Sequence, residues 1–166
     1  MEKISSFKWF NNVGDVVCFN PSTYESEPIK FEKNFSYNHK KNELNSIGVS
    51  WLYGDKLIEI PNIWYLSTLP LPEMDKVFVT LYNNGNFEYY IYNADGSIFK
   101  KLLCPERRPP YDGDCTFIYE IGWIKTTEGD FTMVATLQGK CDPYYEDRLF
   151  NPKSGNFGEV IGSGRR

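Results

Sequence analysis

The sequence predicts an all-β fold, built of antiparallel meanders in loosely repeated units, on three observations. One local phrase, an aromatic residue followed by Asn, by Pro or Ala, and then small polar residues, occurs three times. Its copies are Phe19-Asn20-Pro21-Ser22-Thr23, Tyr92-Asn93-Ala94-Asp95-Gly96-Ser97 and Phe150-Asn151-Pro152-Lys153-Ser154-Gly155. Asn, Asp and Gly tolerate the left-handed backbone of a tight hairpin, and Pro pre-sets φ where a turn begins, so the phrase marks hairpin corners. Aromatic residues make up 17% of the chain, with 12 Tyr, 12 Phe and 4 Trp, and flat rings pack well on a pleated surface. No segment keeps a 3.6-residue apolar period for more than about two turns. Four-stranded meanders in tandem predict an incomplete propeller-like stack or a β-sandwich with open edges.

Taken in order, residues 5–11 read as one short helix and residues 13–19 as a strand. The polar stretch 20–46, rich in Asn, Lys, Ser and Glu, reads as a long exposed hairpin or loop. Strands follow at 47–53 and 56–60, joined at Gly54-Asp55. Pro70-Leu71-Pro72 lies in a connector that cannot be a central strand, because Pro donates nothing to the ladder. Residues 77–103 form a three-stranded meander, turning at Asn83-Asn84-Gly85-Asn86 and at Asn93-Ala94-Asp95-Gly96. A second unit over 115–161 places strands at 116–125, 131–138, 145–150 and 157–161. Aligning Ile91-Tyr92-Asn93 with Leu149-Phe150-Asn151 makes the two units copies of one four-stranded meander. Gly158, Gly162 and Gly164, leading to Arg165-Arg166, read as a frayed tail.

A chain of 166 residues is expected to form a single domain over 1–166, with a core that needs no staples. The N-terminus lacks the apolar stretch of a signal peptide, and no run has the length of a membrane span, so the expectation is a soluble, cytoplasmic protein. Cys18, Cys104, Cys115 and Cys141 lie far apart without a Cys-x-x-Cys pair. That argues against zinc and for four free, mostly buried thiols, with a transient Cys104–Cys115 bridge as the minority reading.

The side chains offer no catalytic set. The lone histidine, His39, sits in Tyr37-Asn38-His39-Lys40-Lys41 with no adjacent carboxylate, so a nucleophile-histidine-acid arrangement would rest on it alone. Phosphate-binding glycine loops are missing, and Asp112-Gly113-Asp114 lacks the remaining ligands of a calcium loop. Asp114, Glu120 and Glu146 are the carboxylates that could in principle pair to cleave a glycan. The expectation is therefore a non-enzyme with no catalytic residue, metal or cofactor.

Charge is more informative. Residues 109–147 carry eight acids (Asp112, Asp114, Glu120, Glu128, Asp130, Asp142, Glu146, Asp147) and two bases (Lys125, Lys140), a balance of −6. The remainder, with 16 bases and 14 acids, carries +2. Such a stretch does not attract nucleic acid, whose phosphates demand Lys and Arg. Its acids stand beside tyrosines in Pro110-Tyr111-Asp112-Gly113-Asp114 and Asp142-Pro143-Tyr144-Tyr145-Glu146-Asp147. Carboxylates steer a basic protein and tyrosines anchor it. The candidate partner-binding residues are Tyr111, Asp112, Asp114, Asp142, Tyr144, Tyr145, Glu146 and Asp147.

These acidic, tyrosine-bearing loops, with meanders such as Phe87-Glu88-Tyr89-Tyr90-Ile91-Tyr92-Asn93-Ala94-Asp95-Gly96-Ser97, resemble immunity proteins of bacterial polymorphic toxin and contact-dependent inhibition systems. The resemblance spans residues 77–161 and is one of style. It implies a stoichiometric inhibitor that binds and blocks a cognate toxin domain, often a basic nuclease; hydropathy and charge add the expectation of no membrane or nucleic-acid partner. The competing expectation is a small-molecule or carbohydrate-binding module, in which Trp9, Trp51, Trp64 or Trp123 stacks on a sugar.

Overall fold

The computed structural model describes residues 3–11, 16–19, 46–64, 67–108, 116–125, 127–140 and 143–165. His39, the stretch 20–45, Cys115 and Cys141 lie outside them. The chain divides into two compact units, Met1–Lys101 and Leu102–Arg166. Every element named in them is a strand and every pairing is antiparallel.

The first unit carries two sheets. One holds β1 (Ile4–Asn11), β2 (Val16–Phe19), β3 (Ser46–Tyr53) and β4 (Lys56–Pro61) in the order β2-β1-β3-β4. It is not a simple meander, because β1 lies between its successor and β3. Gly54, at φ 57°, supplies the left-handed corner between β3 and β4. The other sheet holds β5 (Leu69–Pro70), β6 (Lys76–Asn83), β7 (Asn86–Asn93) and β8 (Ile98–Leu102) in sequential order. Asn84 and Gly85, at φ 49° and 83°, make the two-residue β6–β7 turn that their sequence promises. At the next corner Asp95 Oδ1 accepts from the Ser97 N–H and hydroxyl, 2.9 and 2.6 Å away.

Indole donors tie these sheets together. Trp51 Nε1–H donates to Ala94 O at 2.7 Å and Trp9 Nε1–H to Thr68 O at 2.8 Å. Around them Ile4, Phe7, Val49, Ile58, Ile60, Val77, Phe78 and Ile91 are buried.

Two expectations for this unit change. Residues 5–11 belong to strand β1, not to a helix. The register slips between Ser5 and Lys8, with Ser6 at φ 49°, and this bulge puts Ile4 and Phe7 on one face. An extra residue in a strand thus imitates the three-residue spacing of a helix. The 77–103 meander also gains a fourth strand, Leu69–Pro70, at its edge, where proline is tolerated.

The second unit holds one sheet of β9 (Thr116–Lys125), β10 (Phe131–Gly139), β11 (Tyr144–Asn151) and β12 (Asn156–Arg165) in the order β12-β11-β10-β9. Ile118, Ile121, Met133, Ala135, Leu137 and Phe150 are buried on its inner face. At the β11–β12 corner Asn151 Oδ1 accepts the N–H groups of Lys153 and Ser154, and Gly155 takes φ 65°. The glycines read as a frayed tail are instead part of β12, a ten-residue strand. Gly164 faces Tyr145 across the ladder, and a Cβ there would meet the ring at 2.8 Å. Glycine is present because a large neighbour already occupies the space.

Gly48 poses the same constraint in the first unit. A Cβ would lie 2.3 Å from the Phe10 ring and 2.9 Å from the Ile60 carbonyl oxygen. The ring can shift, but the paired backbone has less freedom. Gly48→Ala is expected to lower stability by about 1–3 kcal/mol. The check is a reduced urea midpoint with an unchanged m-value.

Candidate partner-binding site

Strand β11 runs through the acidic, tyrosine-rich segment, and its two-residue period sorts the candidates. Tyr144, Glu146, Arg148 and Phe150 project to the inner face, opposite Leu137 and Ala135 of β10. Tyr145, Asp147 and Leu149 project to the outer face, opposite Gln138, Thr136 and Val134.

Glu146 is 0% exposed. Its Oε1 accepts from Arg148 Nε at 2.7 Å. Its Oε2 accepts the Arg108 N–H at 3.0 Å, with Arg108 Nε farther off at 3.4 Å. Burial pushes this carboxyl up. The Arg108 N–H and the Arg148 and Arg108 guanidinium groups more than offset that and hold it below its ordinary value. A side chain so enclosed cannot be a rim carboxylate, and the expectation that Glu146 touches a partner is overturned. Strand parity is the reason: the tyrosine and aspartate on either side take the outer face, and Glu146 takes the inner one.

The charge reading shifts with it. Arg108 and Arg148 flank the 109–147 window and neutralise one of its acids, which a linear count does not register. Arg107, Arg108 and Arg148 are functional neighbours of this strand that the acidic pattern does not point to. Arg148 was open to detection, since two residues from Glu146 in a strand means the same face.

Three candidates remain accessible. Tyr144 is 36% exposed, with the Arg165 guanidinium 5.9 Å from its ring centroid, and its carbonyl accepts from Arg107 Nη1 at 2.8 Å. Tyr145 is half-buried beside Gly164. Asp147 is half-buried and accepts from the Thr136 hydroxyl at 2.6 Å. The exposed Glu120 of β9 lies on the same outer face, through the register Asp147–Thr136–Glu120. Tyr111, Asp112, Asp114 and Asp142 lie outside the described residues.

Other candidates lose ground. Glu120 and Glu146 face opposite sides of the sheet and cannot flank one glycosidic bond. Trp9 and Trp51, at 8% and 0% exposure, are core residues and not sugar platforms. Trp64 is half-buried against Tyr82 and Phe87, with ring centroids 5.8 and 5.6 Å away. The Trp123 side chain lies outside the described residues. Cys104 carries a free, half-buried thiol that burial pushes up to about 12 against the opposing pull of Arg107 and Arg148. Among the described residues no three His, Cys, Asp or Glu side chains gather as a metal group, and no helix is long and apolar enough to cross a membrane.

No protein-family model and no curated protein matches this sequence. Among solved structures, the chain is similar to one from the structure of Tne2 in complex with Tni2. The match has a TM-score of 0.60 and 8% identity and covers 98% of this chain and 99% of the other. At that identity the likeness is one of fold.

Proposed function

We propose that this chain is a stoichiometric protein-binding inhibitor, an immunity protein that binds a cognate toxin domain and blocks it. The observation that carries the reading is the fold likeness, over nearly the full length of both chains, to a protein from a two-protein complex, Tne2 with Tni2. The acidic, tyrosine-bearing stretches of the sequence support the same reading. The proposed partner is basic and of nuclease type. It meets Tyr145 and Asp147 on the outer face of β11, reaches Tyr144 at the exposed start of that strand, and takes in Tyr111, Asp112, Asp114 and Asp142, which adjoin in sequence. Glu146 is excluded from that surface by its burial. The protein acts by occupancy, without turnover, in the cytoplasm.

The test is co-expression with the product of the adjacent reading frame. A complex of equal stoichiometry on size exclusion, with rescue of cells from that product's toxicity, is the expected result. Absence of both would overturn the reading. Within such a complex Asp147→Asn is expected to slow association and flatten its salt dependence, because a rim carboxylate mainly steers encounter. The amide keeps an acceptor for the Thr136 hydroxyl, so the fold is retained. Stopped-flow association at two ionic strengths checks it.

A further inference from the structure

We infer that residues 104–108 form a strap fastened to β11 by Glu146, and that neutralising this one carboxylate releases the strap while the sheet stays folded. The inference is independent of the proposed partner.

The geometry is that of a two-sided clasp. Leaving β8, residues 103–108 take no regular secondary structure, so their polar groups need partners other than a ladder. Three of those partners come from β11 or its first carbonyl. The Arg108 N–H reaches Glu146 Oε2 at 3.0 Å. Arg148 Nη2 reaches back from β11 to the Glu106 carbonyl at 2.8 Å. The buried Arg107 donates to Tyr144 O at 2.8 Å and through Nε to Thr116 Oγ1 at 3.1 Å. Glu146 sits at the centre, since it also accepts from Arg148 Nε at 2.7 Å and so aims that guanidinium at the strap. The Arg108 guanidinium, 60% exposed and 3.4 Å away, adds little through solvent.

The charged groups acting on Glu146 among the described residues are Arg108 on the strap and Arg148 on its own strand, while Arg107 is turned to Tyr144 O and Thr116 Oγ1. Cys104 lies close enough to Arg107 and Arg148 to feel both. Across the ladder, β10 presents Leu137 and β12 presents Ser163, neither of which titrates near neutrality. One carboxylate therefore faces only cations. Protonating it leaves the half-buried Arg148 without its counter-charge and can turn the oxygen that accepts the Arg108 N–H into a hydroxyl, a donor facing a donor. The strand ladders carry no comparable dependence, because their backbone amide hydrogen bonds do not titrate and the side chains buried beside Glu146 on the same face of the sheet, Ile118, Ile121, Met133, Ala135, Leu137 and Phe150, are apolar. The sign follows from the direction of the shift. A carboxyl held below its ordinary value stabilises the clasp above that value and loses its effect as pH falls through the folded pKa.

Cys104 is the reporter. A thiol pushed up to about 12 is thiolate to only about one part in ten thousand at pH 8. Release toward an ordinary thiol pKa would raise that fraction by up to about a thousandfold. The experiment is alkylation of the full chain by iodoacetamide at pH 8, read at Cys104 by peptide mass spectrometry. Glu146→Gln and Arg148→Gln are compared with the wild type and with Val134→Ala, a core truncation on the opposite face of the sheet. The expected result is that both clasp variants speed Cys104 modification at least tenfold and Val134→Ala does not. Equal acceleration in all three would mean general loosening and would overturn the inference, as would no acceleration in the clasp variants. Hydrogen exchange on the wild type needs no variant. As pH falls from 6 through and below the ordinary carboxyl range, after correction for intrinsic rates, the peptide holding Arg108 should lose protection before those of β10 and β11 do. Retained protection at Arg108, or simultaneous loss in the strands, would refute the clasp.

Discussion

Trp51→Ala is expected to lower the free energy of unfolding of the N-terminal unit by about 3–5 kcal/mol. Trp51 is wholly buried, stacks on Phe7 with ring centroids 6.3 Å apart, and donates its indole N–H to Ala94 O at 2.7 Å. Alanine removes the ring from between the two sheets of that unit and leaves a cavity that the β3–β4 hairpin, held by six residue pairs, can close only in part. Trp51→Phe separates the contributions. It keeps most of the ring and loses the hydrogen bond, leaving the Ala94 carbonyl short of a partner, and should cost about 1–3 kcal/mol. Urea unfolding of both variants checks the pair. Equal losses in the two would mean that the hydrogen bond, and not the packing, carries the effect.

Tyr144→Ala is expected to raise the dissociation rate of the proposed toxin complex about 30-fold or more, from the roughly 2 kcal/mol that truncating an anchoring aromatic costs. Tyr144 has the properties this requires in the free protein. It is 36% exposed at the start of β11, while its backbone is held by Arg107. Removing the ring leaves that backbone hydrogen bond in place, so the loss would be read at the interface and not in the fold. Titration calorimetry gives the affinity, surface plasmon resonance gives the rate, and near-ultraviolet circular dichroism confirms the packing. An unchanged dissociation rate in a folded variant would move the contact surface away from this end of β11.

Local chemistry readable along the chain makes this protein all-β and places most of its hairpin turns. Asn84-Gly85, Asp95-Gly96-Ser97 and Asn151 through Gly155 act over a few residues, through positive φ and side chains that bond their own turn. Such chemistry needs no knowledge of the rest of the chain. Strands β6 to β11 were legible for that reason. Which face of each strand looks inward is set by packing across the sheets, because period-2 alternation makes two neighbours oppose each other without saying which of them meets the core. The Ser5–Lys8 bulge defeated the pattern by adding one residue, and the glycines of β12 were legible only once Tyr145 was known to lie opposite Gly164. Glu146 shows the same limit at the candidate site. Its acidity beside two tyrosines reads as surface, yet its carboxylate is enclosed by a backbone N–H and a guanidinium, one of them 38 residues away in the chain. A charge can be buried only where partners converge on it, and that convergence is a property of the folded chain.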